Sequence, residues 1–268
     1  KTLPKRQLYS VNKKKAVARV ALLTGCVQKV ISPQINEATI RVLNRHGIEV
    51  VVSKGIECCG SLNHHLGKSD QAYKTFKKNI LIWHDEYLKN GLDAIISNTS
   101  GCGTTIKDYG FIFRSDKELK KKANKISELT KDITEYLDEN VKLNFINNKD
   151  HKYKIAYHSP CSMQHGQKVH KAPMDLIKKT GNEVFDIPDG HLCCGSAGTY
   201  NLLQNDIAKK LLKNKISNIN KINPKFISTG NIGCITQIAN GTKIPILHTV
   251  EIIDWYTGGP KPAALAKL

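Results

Sequence analysis

Eight cysteines carry the chemistry that this sequence advertises: Cys26, Cys58, Cys59 and Cys102, then Cys161, Cys193, Cys194 and Cys234. In each set, 31 residues separate the first cysteine from a vicinal Cys-Cys-Gly-Ser. The last cysteine then follows the Cys-Cys-Gly after 41 residues in the first set and 38 in the second. Every cysteine of the chain belongs to this scheme. Two sets of four at matched spacing are the mark of an internal duplication.

Thiols in this number support four chemistries. Disulfides suit small, loop-rich secreted scaffolds, whereas this chain has ample core, and adjacent cysteines bond each other only under strain. Structural zinc takes four thiolates from C-x-x-C knuckles around one small ion. Neighbouring residues point apart, so Cys58 and Cys59 are poorly placed to share it. A dithiol enzyme uses one or two activated cysteines, not two quartets. An iron-sulfur cluster fits best, because four thiolates are the usual ligand set of [4Fe–4S] and adjacent thiolates can bind different irons. Zinc stays the alternative metal.

All eight cysteines are therefore the candidate metal ligands, with one [4Fe–4S] cluster expected per set. Gly60 and Gly195 are candidate cofactor-binding residues, since a glycine lets the backbone approach a bulky inorganic group. Ser61 and Ser196 complete the set, as helix caps or as donors to cluster sulfur. Helix N-termini after the Cys-Cys-Gly-Ser turns would aim backbone N–H groups at an anionic cluster.

Repeated elements must position these thiols. "VALLTGC" before Cys26 answers "KIAYHSPC" before Cys161. Helix-like segments follow at Pro33–His46 and Pro173–Lys179, and short apolar stretches at "IEVVV" and "EVFDI". Each Cys-Cys-Gly leads into a long amphipathic helix. "DAIISNTSGC" matches "KFISTGNIGC", and "LTKDITEYL" (129–137) aligns with "HTVEIIDWY" (248–256), which pairs His248 with Leu129. Strands alternating with helices predict an α/β fold: two pseudo-symmetric repeats, each a small parallel sheet flanked by helices, with cysteine loops at the strand C-terminal ends. Ligands of such sheets sit at those ends. Residues 1–16 read as an N-terminal arm, 17–140 as the first cysteine-rich domain and 151–260 as the second. A polar stretch around 138–152 reads as the linker.

The 268 residues are 40% hydrophobic, enough for a folded core, and carry a net charge of +18 from 41 Lys and Arg against 23 Asp and Glu. That charge is spread over helix faces in a Lys-, Asn- and Ile-rich chain. No nucleic-acid motif accompanies it, so no nucleic-acid partner is expected. No apolar run approaches the roughly 18 residues of a membrane span. The chain opens at Lys1 and reads as part of a longer protein.

These phrases resemble a known family. Cys-x31-Cys-Cys-Gly-x(38–41)-Cys, twice, is similar to the cysteine-rich CCG domain found in heterodisulfide reductases, lactate-utilisation iron-sulfur proteins, anaerobic glycerol-3-phosphate dehydrogenases and glycolate oxidase iron-sulfur subunits. "CCGSLNHHLG", "SGCGTTIKDYG", "SPCSMQHGQK", "GHLCCGSAGTYNLLQ" and "HTVEIIDWYTGGP" read most like the glycolate oxidase subunits, over about residues 17–260. The resemblance implies an electron-transfer subunit of a glycolate dehydrogenase-type oxidoreductase that is not catalytic alone. It would accept electrons from a flavin subunit oxidising glycolate to glyoxylate and pass them towards quinone or another membrane acceptor. Such a protein would be cytoplasmic or peripheral on the inner face of the membrane. A lactate-oxidising complex and a metal-free or zinc-bearing docking module are the alternatives. In heterodisulfide reductase each set closes with C-x-x-C, a fifth thiolate. Here Thr105 and Gln237 stand at those positions, which favours an ordinary four-thiolate cluster, or one empty site. The ferredoxin-like C-x-x-C-x-x-C region of the glycolate oxidase subunits is absent from this sequence.

Of the other residues, His64 and His65 read as side chains on the helix surface or just behind the cluster ligands, with a replacement cluster ligand as the alternative. His158, His165 and His191 flank cysteines and are candidates to donate to a cluster or a bound quinone. His248 is expected to pack at a strand end. Trp83 and Trp255 read as core or interface aromatics, and Lys107 and Tyr109 as surface loop.

Overall fold

The computed structural model describes residues 7–11, 16–146 and 152–268. Parts of the expected arm (1–6 and 12–15) and of the expected linker (147–151) lie outside the described residues. The chain divides into two compact units, Lys1–Tyr136 and Leu137–Leu268.

The first unit begins with β1 (Gln7–Tyr9), then β2 (Ala18–Leu23), α1 (Gln28–Ile31), α2 (Gln34–Arg45) and β3 (Ile48–Val52). After the vicinal cysteines come α3 (Ser61–His65), α4 (Ser69–Asn90), β4 (Ala94–Ser97), α5 (Ser100–Lys107), α6 (Tyr109–Ile112) and α7 (Lys120–Leu129). β5 (Thr130–Asp132) and α8 (Ile133–Asn140) close it, the unit boundary falling inside α8. The strand order is β1-β3-β2-β4-β5. β2, β3, β4 and β5 are parallel. Contrary to the expectation of a loop-like arm and a purely parallel sheet, β1 adds an antiparallel edge strand on β3. Its Gln7-Leu8-Tyr9 supplies the free edge of β3 with backbone partners.

The second unit repeats the plan with β6 (Lys154–His158), a π-helical turn over Ser162–Gln167, α9 (Ala172–Lys178) and β7 (Glu183–Asp186). α10 (Tyr200–Leu203), α11 (Asn205–Ile222), β8 (Phe226–Thr229), α12 (Ile232–Ala239), β9 (Ile246–His248) and α13 (Thr249–Tyr256) complete it. The order β7-β6-β8-β9, all parallel, matches β3-β2-β4-β5 strand for strand. The expected linker is not free at its described end: Phe145 packs on the core of this unit and the Ile146 N–H donates to the Tyr256 carbonyl at 2.7 Å.

The strands form where they do because β4 and β8 are buried along their whole length and β2 over its last four residues, the continuous apolar run that a parallel strand covered on both faces requires. α4 buries Ala72, Phe76, Ile80 and Trp83 on one stripe, a spacing of three or four residues that turns them to the sheet. Phe76 also packs on Tyr109, ring centroids 4.8 Å apart. Trp83 is a core residue, as expected. β2 and β6 are each the strand from which the chain goes first to one side of the sheet and then to the other. Such a switch point opens a crevice at the strand C-termini.

Phe76 holds α4 to the cysteine turn as well as to the core. Phe76→Ala should cost about 3–5 kcal/mol in chemical denaturation of the holoprotein. An unchanged midpoint would show that this ring does not anchor the first unit.

Candidate metal centres

In the first unit Cys26 lies just past β2, Cys58 and Cys59 lie past β3, and Cys102 sits in the first turn of α5, past β4. The four sulfurs form a connected string. Cys59 donates to Cys102 at 3.1 Å, and Cys26 with Cys58, and Cys58 with Cys59, interact closely enough to shift each other's protonation. The second unit makes the same string in the same order: Cys161 to Cys193, Cys193 to Cys194, and Cys194 to Cys234. Cys59, Cys194 and Cys234 are buried and the other five are partly exposed.

Backbone amides point at these sulfurs. The Gly60 N–H reaches Cys58 Sγ at 3.3 Å and the Ser61 N–H reaches Cys59 Sγ at 3.5 Å. In the second unit the Gly195 N–H reaches Cys193 Sγ at 3.3 Å and the Ser196 N–H reaches Cys194. Gly60 and Gly195 make this turn at φ 84° and 94°, a left-handed conformation that costs a residue with a Cβ. Space also forbids one: a Cβ on Gly60 would fall 2.5 Å from the Phe76 ring, and one on Gly195 would fall 2.5 Å from the Ala208 carbonyl. The turn is thereby pressed against the following helix with both amides facing the sulfurs. Neither serine caps a helix through its side chain. Gly60, not Ser61, is the N-cap of α3, with no side-chain cap bond, and no helix starts at Ser196. The expected capping role is thus corrected, because the left-handed glycine sets the helix start in the first repeat and a turn intervenes in the second.

Four thiols this close cannot all ionise without a compensating cation. Cys26 is pushed up from the ordinary thiol range by its hydrogen bond to Cys58 and by burial. Cys161 is pushed up by Cys193 and burial, and Cys194 by Cys193 and Cys234. Cys193 and Cys234 are held low by the protons these neighbours share with them. Cys234 gains further from His158 and from the Asn231 amide, which donates to its sulfur at 3.4 Å.

Around the same frame, the surroundings differ. In the first unit a buried amide network ties the Cys26 loop to the Cys102 helix. Gln28 Nε2 donates to Asn98 at 2.6 Å and to Asn36 at 3.1 Å; Thr99 Oγ1 donates to Gln28 at 2.7 Å; Asn98 Nδ2 donates to Thr39 at 2.9 Å. In the second unit Met163 and Gly230 stand at the positions of Gln28 and Asn98, and the methionine fills the space above the glycine. Asn79 of α4, buried, donates to the Cys58 carbonyl at 2.8 Å and to Tyr109 Oη at 3.1 Å. Counted from the buried Ala72 and Ala208, its counterpart on α11 is Lys215, 2% exposed. Burial pushes that ammonium down, and Cys194, Cys193 and Cys234 push it back up. Its Nζ donates to the Asp189 carbonyl at 3.3 Å. Sequence inspection missed Gln28, Asn79, Asn98, Thr99 and Lys215. The signal available was an amide or ammonium on an otherwise apolar helix or strand stripe beside a cysteine.

Of the flanking histidines only His158 reaches the sulfurs. It is buried at the end of β6, with a ring nitrogen, Cys194 Sγ and Cys234 Sγ all within 4.8 Å of one another. His165 and His191 are exposed, as is His65, while His64 packs edge-on against Phe76. Tyr109 was expected on a surface loop; it is buried, and its hydroxyl donates to the Cys59 carbonyl at 2.7 Å. Lys107 pairs with Glu135 at 2.6 Å, and Trp255 packs on Tyr153 and Tyr256. His248 does sit at a strand end, but its partner is Asp132, not Leu129. Ser97 pairs with Asp132 and Thr229 with His248 in equivalent registers. Both residues then start a helix by accepting a backbone N–H two residues on, while Glu135 or Glu251 accepts theirs. Helix-start geometry overrides the residue-for-residue alignment of these segments.

No helix among the described residues is long and apolar enough to cross a membrane. Comparison with known proteins gives matches in both halves. The chain is 38% identical over 238 residues to the glycolate oxidase iron-sulfur subunit of Escherichia coli, covering 88% of this chain and 57% of that protein. It is 28% identical to a probable glycolate oxidase iron-sulfur subunit of Bacillus subtilis, spanning 54% of its length. To a lactate utilization protein A of Geobacillus it is 25% identical, over 88% of this chain and 99% of the relative. The chain thus spans little more than half of the glycolate oxidase subunits that it matches. The model of the CCG cysteine-rich domain matches twice, over residues 20–107 and 155–239, the stretches that carry the two strings of sulfur; the chain belongs to the CCG cysteine-rich domain family.

Proposed function

We propose that this chain is an iron-sulfur electron carrier in a complex that oxidises a small 2-hydroxy acid, with glycolate as the first candidate. Each cysteine set would hold one [4Fe–4S] cluster: Cys26, Cys58, Cys59 and Cys102 in the first repeat, and Cys161, Cys193, Cys194 and Cys234 in the second. One observation carries this reading. Sulfurs from three strand ends meet in a string, in the same order in both repeats, with backbone amides aimed at them. A string suits a body with several irons better than one tetrahedral ion, because vicinal thiolates can take different irons. The same amides and helix N-termini favour an anionic centre.

A bound cluster would supply reversible one-electron transfer. The residues around it exclude water, offset the thiolate charge and set the potential. A separate flavin subunit would deliver electrons, which the similarity to glycolate oxidase subunits supports, and quinone or another membrane acceptor would take them. A second reading, lactate oxidation, is favoured by the match to lactate utilization protein A along nearly that protein's whole length.

Anaerobic purification with iron and acid-labile sulfide analysis should give about four irons per loaded set. Cys194→Ser should remove the second set's iron and EPR signal and leave the first. Stoichiometric zinc, or no metal, would sink the carrier reading in favour of a docking scaffold. In the assembled complex, reduction of the clusters by glycolate but not lactate separates the two substrates.

Lys215→Met should lower the potential of the second set's iron and leave that of the first, since a buried cation stabilises the reduced, more negative state. EPR-monitored titration reads both. An unmoved second potential would deny Lys215 an electrostatic part.

A further inference from the structure

The two repeats can be superposed by sheet register. Leu23 pairs with Ser97 in the first, and His158 pairs with Thr229 in the second. His158 therefore stands where the first repeat has Leu23, at the last residue of the strand leading to the first cysteine. Both positions are buried, at 2% exposure. A leucine there needs no explanation. An imidazole does, because burying polar nitrogens without partners opposes folding.

Neither ring nitrogen of His158 has a partner of good hydrogen-bond geometry; what the imidazole interacts with is the Cys234 sulfur. The register neighbour of His158, Thr229, likewise has a buried hydroxyl without such a partner, whereas the equivalent Ser97 hydroxyl donates to the Thr99 carbonyl at 3.0 Å. What His158 does face is sulfur. A ring nitrogen, Cys194 Sγ and Cys234 Sγ lie within 4.8 Å of one another, all three residues buried. One ion with bonds of about 2.0–2.3 Å bridges such a span with little side-chain movement. Cys234 also has a hydrogen-bond donor in the Asn231 amide, at 3.4 Å. Among the described residues this is the one group of histidine, cysteine and carboxylate side chains drawn so close.

We propose that His158 is a metal ligand of the second cysteine set, which thus offers four sulfurs and one nitrogen where the first offers sulfur alone. This rests on the proposed function only in that a metal centre occupies the second set; a fifth protein donor departs from the four-cysteine ligand set of [4Fe–4S] expected there. Histidine is a known ligand of cluster iron, and a neutral nitrogen beside thiolates makes the two centres chemically unequal on an otherwise shared frame.

The test uses the whole chain, purified anaerobically with iron and labelled with 15N-histidine. Pulsed EPR of the reduced protein should show a directly bound histidine nitrogen coupled to one iron signal, the signal that Cys194→Ser removes. His158→Leu, which restores the side chain of the first repeat, should abolish the coupling and leave the first set's signal intact. Should that variant fail to fold, the wild-type spectrum decides alone. An iron signal from the second set without nitrogen coupling, or coupling that survives His158→Leu, overturns this inference and leaves the carrier reading standing. If Cys194→Ser changes neither iron content nor signal, the second set holds no cluster and both readings fail for that repeat.

Discussion

Four thiols strung along one set of strand ends, one pair of them 3.1 Å apart, repel one another as soon as they ionise, and the fold forces them together regardless. Three parallel strands end at one crevice and each releases its cysteines there. The vicinal pair is the tightest point. Gly60 and Gly195 must turn left-handed with a ring or a carbonyl where their Cβ would be, which locks two amides towards two sulfurs. A site built this way is half-neutralised by N–H dipoles before any metal arrives. The proton sharing within the second string, with Cys193 and Cys234 held low and Cys161 and Cys194 pushed up, shows how far the protein alone can go. A cation-bearing centre completes the charge balance.

Duplication preserved that frame and released its surroundings. Strand order, register and the order of sulfurs are common to both units. The filling is not. The first unit ties its loops with Gln28, Asn36, Asn98 and Thr99. The second uses Met163 over Gly230, an apolar contact in place of an amide network. Asn79 becomes Lys215, and Leu23 becomes His158. Lys215 acts on the second set through charge, the kind of influence that tunes a centre without changing its ligating sulfur, whereas His158 faces two of the sulfurs directly. Two carriers at different potentials could arise from one ancestral unit by such buried substitutions alone.

The corrections to the sequence reading share a cause. Tyr109 follows a cysteine loop in sequence and so reads as surface, yet α6 turns it inward under Cys59. Asp132, not Leu129, is the counterpart of His248, because what repeats there is a helix start at a strand end rather than a string of residue types. The arm contributes a strand because β3 has an edge to cover. Each depends on a neighbour far away along the chain, which local pattern does not contain.

Cysteine spacing and strand-helix alternation were sufficient to determine the duplication, the α/β class, the eight candidate ligands and the strand ends at which they gather. Those features are set by covalent distance and side-chain periodicity, and a sequence states both directly. Only the folded chain decided which polar residues lie behind the sulfurs and that His158, of the histidines beside cysteines, faces two of them. Burial and register belong to pairs of segments, not to either one, and the identity of a residue does not reveal what will be packed against it.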